Sequence, residues 1–132
     1  NLLTNIPIKF IDNDYTQNKT RIHYSPIINL STNGDFNDIR FNMGATGVLD
    51  IKPEIMGSFY KAYRKFSSLL NNNQYFINFK LEAGDIICFN NRRILHGRTK
   101  FDPNSGNRHL QGYYIDRDEI LSRINYLKKI NI

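Results

Sequence analysis

Gly84-Asp85-Ile86-Ile87-Cys88-Phe89-Asn90-Asn91-Arg92-Arg93-Ile94-Leu95-His96-Gly97-Arg98 is the stretch on which the reading of this 132-residue chain turns. Ala83-Gly84-Asp85 is a turn signal, and four apolar residues follow it before a polar patch and a single histidine. A turn that throws an apolar strand toward a polar end places His96 at the mouth of whatever that strand helps to enclose. Twelve positions later Arg108 opens Arg108-His109-Leu110-Gln111-Gly112-Tyr113-Tyr114, after the turn Asp102-Pro103-Asn104-Ser105-Gly106-Asn107. If the two strands are sheet neighbours, His96 and Arg108 face one cavity. A neutral imidazole suits a borderline transition metal, and a guanidinium suits a carboxylate gripped by two parallel hydrogen bonds. Taken alone, the pair is weak evidence, because a lone histidine in a strand is more often a satisfied structural residue.

Working outward, Tyr75 to Leu81 alternates apolar and polar and predicts a strand ahead of Ile86 to Phe89. Arg108 to Ile115 predicts another. Upstream, Pro53 suits a first helical position, and Ile55, Met56, Phe59, Ala62, Tyr63, Phe66, Leu69 and Leu70 form one apolar stripe. That stripe predicts a helix lying over the core. Ile6 to Asp12 reads as a strand with Pro7 near its edge, Asn13 to Lys19 as a turn, and Arg21 to Leu30 as a second extended stretch. Ser31-Thr32-Asn33-Gly34-Asp35 then predicts a hairpin whose partner strand is Phe36 to Asn42, with Gly44 and Gly47 in an irregular loop. A closing helix begins around Asp116 to Glu119, carries Ile120, Leu121, Ile124 and Leu127 on one face, and ends on Lys128-Lys129. Neither a repeat nor an interdomain linker is visible. The pattern is mainly antiparallel β with two helices, an α+β class.

Composition narrows the function classes. Hydrophobic residues make up 40% and charged residues 23%, a globular balance with room for one modest core. No apolar run approaches the roughly 18 residues of a membrane span. The start, Asn1-Leu2-Leu3-Thr4-Asn5, has neither the charged nor the long apolar region of a signal peptide. Opening on Asn, the chain reads as part of a longer translation product. One cysteine, Cys88, excludes an internal disulfide framework, and its apolar neighbours predict an inert buried thiol. The net charge of +6 invites a nucleic-acid reading, but acidic residues are interspersed among Arg92, Arg93, Arg98, Lys100 and Arg108, and no nucleic-acid motif is present. Asn and Ile each occur 18 times, the bias that AT-rich coding DNA produces, and Asn71-Asn72-Asn73 fits it as a loop.

Longer words carry a resemblance. Phe89 to Arg98, Asp102-Pro103 to Tyr114, and Asp116-Arg117-Asp118-Glu119-Ile120-Leu121-Ser122-Arg123 closely resemble the C-terminal part of the γ-butyrobetaine dioxygenase family. Leu2-Leu3-Thr4-Asn5-Ile6-Pro7 and Ile39-Arg40-Phe41-Asn42 are similar to the same family. The resemblance implies an Fe(II)- and 2-oxoglutarate-dependent oxygenase on a double-stranded β-helix, the jelly-roll or cupin-like barrel, with ascorbate as reductant. Residues 1–132 would be the C-terminal portion of that one domain. His96 matches the family's distal iron-ligating histidine, and Arg108 the arginine that pairs with 2-oxoglutarate. Asn42 matches an asparagine that holds the substrate carboxylate. Tyr114 matches an aromatic of the cage around a trimethylammonium group, a cation that only π-faces and dispersion can hold. Each has a plainer alternative: a surface ion pair for Arg108, a turn residue beside Gly44 for Asn42, core packing for Tyr114. His109 should face away from Arg108 as a structural residue, and His23 should lie on the surface or in packing.

The departures from the family pattern weigh on activity. The His-x-Asp half of the iron site is absent, since neither His23 nor His109 is followed two positions on by an acid, and the cysteine-rich zinc module of many members is absent too. One histidine cannot hold an iron that needs two His and a carboxylate, so this polypeptide alone should be inactive. Asn90 and Arg92 stand where some members have Asp and Trp. Three functions stay open: hydroxylation of γ-butyrobetaine to L-carnitine, the same chemistry on trimethyllysine, and a non-catalytic truncated barrel serving binding or dimerisation. The resemblance further implies a small trimethylammonium substrate and a homodimer, while the charge distribution and the lack of a long apolar run predict no nucleic-acid partner and no membrane. It places the first reading in the cytoplasm and the second in the mitochondrion.

Overall fold

The computed structural model describes all residues except Phe101, Pro103, Ser105, Asn107, Arg108, Asn131 and Ile132. Its elements are α1 (Leu2–Asn5), β1 (Ile8–Asp14), β2 (Lys19–Ser25), β3 (Ile28–Leu30), β4 (Phe36–Ile39), α2 (Pro53–Leu70) and α3 (Arg117–Ile130). They fall into two compact units, Asn1–Gly97 and Arg98–Ile132.

In the first unit the strands form two antiparallel pairs, β1 with β2 and β3 with β4. Ile8 faces Ser25 and Phe10 faces His23 across the first pair, so Ile8 and Phe10 share one face and both are buried. The β1–β2 turn is held by Asp14, whose Oδ1 accepts hydrogen bonds from the Thr16 hydroxyl at 2.6 Å and from the Thr16 and Gln17 amides at 3.1 Å. Residues 45–47 run along the other edge of β1, where the Ile11 amide donates to the Ala45 carbonyl and the Gly47 amide to the Lys9 carbonyl. Gly47 is needed there: a Cβ would sit 3.3 Å from the Ile11 and Lys9 side chains.

The hairpin predicted around Ser31–Asp35 forms, with Asn29 opposite Asp38 and a bulge between Asn29 and Leu30. Gly34 takes φ +84° in its turn, a left-handed conformation that glycine adopts without strain. The partner strand ends at Ile39 rather than Asn42. Asn42 instead opens a turn, accepting the Gly44 amide on its Oδ1 and the Ala45 and Thr46 amides on its carbonyl.

Helix α2 forms where the apolar stripe predicts it, with Pro53 at its start. Phe59 is fully buried and joins Ile8, Phe10 and Ile27 as the core, with Phe41, Tyr63 and Phe66 packed against them. Phe41 stacks on Tyr63 at 5.1 Å and meets Phe66 edge-on at 5.3 Å. Burial pushes the Tyr63 hydroxyl pKa up. Leu69 falls off the buried stripe and is exposed.

Beyond α2 the structure departs from expectation. Neither Tyr75–Leu81 nor Ile86–Phe89 is a strand, and the described part of 108–115 is not one either. The reason is the absence of partners: a strand exists only as a hydrogen-bonded neighbour, and alternation alone cannot supply one. Ile77 and Ile86 are 86% and 93% exposed. Cys88 is accordingly an exposed free thiol, not a buried one. The class is α+β as expected, while the double-stranded β-helix is not formed by the described residues.

In the second unit α3 starts at Arg117, one residue into the expected span. The Asp116 carboxylate accepts the Asp118 amide at 3.0 Å, and Asp118, Glu119 and the terminal Lys128 and Lys129 complement the helix dipole. Its apolar residues Ile120, Leu121, Ile124 and Leu127 remain about two-fifths exposed. No described helix is long and apolar enough to cross a membrane.

Candidate functional site

The candidate residues are distributed over both units. His96 lies in the first, in irregular chain just after the turn at Asn90–Arg93. That turn is built by Asn90, whose side chain accepts the Arg92 amide and whose carbonyl accepts the Arg93 and Ile94 amides. It docks on the β3–β4 hairpin: the Ile39 amide donates to the Arg92 carbonyl at 2.8 Å, and Arg93 donates to the Phe36 carbonyl while its guanidinium lies 5.0 Å from the centre of the Phe36 ring. His96 itself is exposed, with its ring tilted against Phe89 at 4.8 Å.

Asn42 is also in the first unit and exposed, with its side-chain oxygen committed to the Gly44 amide. The turn reading of this residue therefore describes its local geometry. No hydrogen bond or ring contact joins it to His96. Tyr114 belongs to the second unit and is 89% exposed, and Tyr113 is 83% exposed, so the expected alternation of one inward and one outward tyrosine is not realised without a strand. His109 is exposed rather than packed, and His23 is exposed on β2 as expected. Arg108 lies outside the described residues.

An iron of the kind the family implies needs two histidines and a carboxylate around it. Among the described residues no group of three His, Cys, Asp or Glu side chains is placed to hold a metal ion. His96 would supply one nitrogen ligand at most, and nothing described stands beside it as a second histidine or a carboxylate. The described residues alone do not fit the group.

Sequence reading missed a polar cluster around a buried aspartate. Asp38 is buried, and its two oxygens accept the side-chain amides of Asn29 at 2.8 Å and Asn37 at 3.1 Å. Asn29 also donates to the Ser25 hydroxyl at 3.0 Å, which donates to the Pro26 carbonyl. The signal lies in the hairpin register, which sets Asn29 opposite Asp38, and it becomes visible only once the bulge is known.

Comparison with known proteins supplies what the geometry does not. The profile of the taurine catabolism dioxygenase TauD, TfdA family matches residues 7–114. That span runs from the start of β1 through the Asn90–Arg93 turn and His96 to Tyr114, and the chain belongs to this family. The γ-butyrobetaine dioxygenase of Pseudomonas sp. (strain AK-1) is 38% identical over 128 residues, 97% of this chain and 33% of that protein. The human γ-butyrobetaine dioxygenase is 35% identical over 105 residues, 78% of this chain and 27% of that protein. The mitochondrial trimethyllysine dioxygenase of Mus musculus is 30% identical over 130 residues, 96% of this chain and 30% of that protein. The chain thus spans about a third of the length of these curated relatives.

Proposed function

We propose that this chain is the C-terminal portion of an Fe(II)- and 2-oxoglutarate-dependent dioxygenase that hydroxylates γ-butyrobetaine to L-carnitine. The observation that carries the reading is the family match over residues 7–114, together with 38% identity to a γ-butyrobetaine dioxygenase across 97% of the chain. The remaining metal ligands, a histidine and a carboxylate, would come from a part of the protein outside these residues. His96 would be one metal ligand, Arg108 the partner of the 2-oxoglutarate carboxylate, Asn42 a contact for the substrate carboxylate, and Tyr114 one face of a trimethylammonium cage. For Asn42 and Tyr114 those roles require strand pairing that the described residues of 75–115 lack. Holding the substrate at both ends would select which methylene reacts.

A trimethyllysine substrate is the second reading, supported by the 30% identity to the mouse enzyme over 96% of the chain. Both substrates present the same cation and differ at the other end. The test is 2-oxoglutarate-dependent succinate release by the full-length protein, with γ-butyrobetaine and trimethyllysine compared side by side. We expect γ-butyrobetaine to be preferred and His96→Ala to abolish turnover. Undiminished turnover in His96→Ala would remove this residue from the site, and a preference for trimethyllysine would overturn the substrate assignment. No succinate release with any trimethylammonium compound would favour a binding or dimerisation module.

A further inference from the structure

One side chain of the first unit governs how the loop bearing His96 is seated. Residues 89–96 close on themselves: Asn90 holds the turn with its side chain and its carbonyl, and the His96 ring returns to lie 4.8 Å from the Phe89 ring. The loop therefore carries His96 with it. Among the described residues two hydrogen bonds tie residues 75–97 to the strands, and both run from the Asn90–Arg93 turn to β4. One joins the Ile39 amide to the Arg92 carbonyl at 2.8 Å and belongs to the backbone. The other comes from the Arg93 guanidinium, which donates to the Phe36 carbonyl at 3.2 Å and lies over the Phe36 ring, 5.0 Å from its centre.

Asn42 follows the same strand, three residues beyond Ile39, and its frame does not depend on Arg93. The Arg40 amide donates to the Ile27 carbonyl at 2.8 Å, and the Asn42 carbonyl accepts the Ala45 and Thr46 amides, next to the bonds that tie Ala45 and Gly47 to β1. Asn42 is thus built into the strands, whereas His96 rides on a loop docked through Arg92 and Arg93. A single backbone bond would leave that loop free to pivot. A second contact, from a planar cation that bonds the carbonyl and covers the ring of one residue, removes the pivot. We propose that Arg93 is a positioning residue, whose clamp on Phe36 sets the place of His96 relative to Asn42. The inference rests on the roles proposed above for those two residues.

Two measurements test it, and the first needs no turnover. In the 15N-labelled 132-residue chain, Arg93→Ala should quicken hydrogen exchange at the Ile39 amide about tenfold, because the bond to Arg92 loses its neighbour. Exchange at Ile11, bonded to Ala45, should not change. Phe36→Leu removes the ring and keeps the carbonyl, so it should give a smaller change of the same sign, and Arg93→Lys, which keeps a donor, should restore part of the protection. Unchanged exchange at Ile39 in Arg93→Ala would overturn the clamp. In the full-length protein, Arg93→Ala should lower kcat about tenfold with KM for γ-butyrobetaine within about twofold, and should lower the hydroxylated product formed per succinate released. A smaller folded fraction lowers kcat but leaves that ratio alone, so a wild-type ratio would overturn the positioning role. Full turnover in both His96→Ala and Asn42→Ala would overturn the functional reading and this inference together, whereas failure of the clamp alone leaves those two variants impaired.

Discussion

Residues 1–70 and residues 71–97 of the same unit use similar sequence language and end in different states. Both contain alternating apolar stretches bounded by turn residues, Ile8-Lys9-Phe10 in one and Ile77-Asn78-Phe79 in the other. The first stretch finds β2 on one side and residues 45–47 on the other, and Phe59 of α2 beneath it, so Ile8 and Phe10 are buried. The second finds no partner, and Ile77 stays 86% exposed. Alternation specifies which face a strand would bury, but the neighbour that completes the hydrogen-bond ladder has to come from elsewhere.

The largest test of that contrast sets Phe59→Ala against Phe79→Ala. Phe59 is wholly buried among Ile8, Phe10 and Ile27, so truncation should cost about 3–5 kcal/mol, enough to remove most of a small domain's stability. Phe79 is more than half exposed, and its truncation should stay within about 0.5 kcal/mol. Urea unfolding followed by far-UV circular dichroism reads both in the 132-residue chain. Equal losses would break the contrast. In the full-length protein the proposed barrel makes a sharper demand: there Phe79→Ala should become severely destabilising, because residues 75–81 would then be a packed strand. A mild effect in both contexts would count against the barrel.

The next effect concerns the polar seam of the hairpin. Asn29→Ala removes an amide that serves both Asp38 and Ser25, leaving a buried carboxylate oxygen without its donor. The expected cost is about 1–3 kcal/mol, measured by the same unfolding experiment. A negligible change would mean that water replaces the amide freely and that the seam contributes little to the order of residues 1–70.

What was legible in the sequence follows the same division. The stripe from Ile55 to Leu70 and the Pro53 start are local properties, so α2 could be read from spacing alone. The Ser31–Asp35 hairpin was likewise written in its turn residues. Strand ends were less legible: β4 stops at Ile39 because Asn42 prefers a side-chain turn to Gly44 over a ladder position. The expected strand at 75–81 and the buried Cys88 failed for a non-local reason, the lack of any neighbour to pair with. His96 and Tyr114 lie in irregular chain for the same reason. His96, Asn42 and Tyr114 are legible through long words shared with relatives, whereas their geometry depends on pairing that lies outside the described residues.

The smallest expected effect is an acid response confined to the ordered region. The hydrogen bond from the Thr16 hydroxyl, joined by the Gln17 and Thr16 amides and by Arg21, holds the Asp14 carboxyl below its ordinary value of 3.8. A carboxylate with a depressed folded-state pKa contributes stability that is complete above its unfolded value and is lost as the pH falls through the folded one. The β1–β2 turn should therefore keep its order at neutral pH and loosen only below the ordinary carboxylate range. Side-chain carboxyl 13C shifts should place the Asp14 midpoint below the ordinary carboxylate value of 3.8. Amide exchange at Thr16 and Gln17 should quicken through the same window, and Asp14→Asn should remove that pH dependence while leaving exchange at Phe59 unchanged. Coincident loss of protection at Thr16 and Phe59 would instead mean that residues 1–70 open as one cooperative unit, with the turn no weaker than the core.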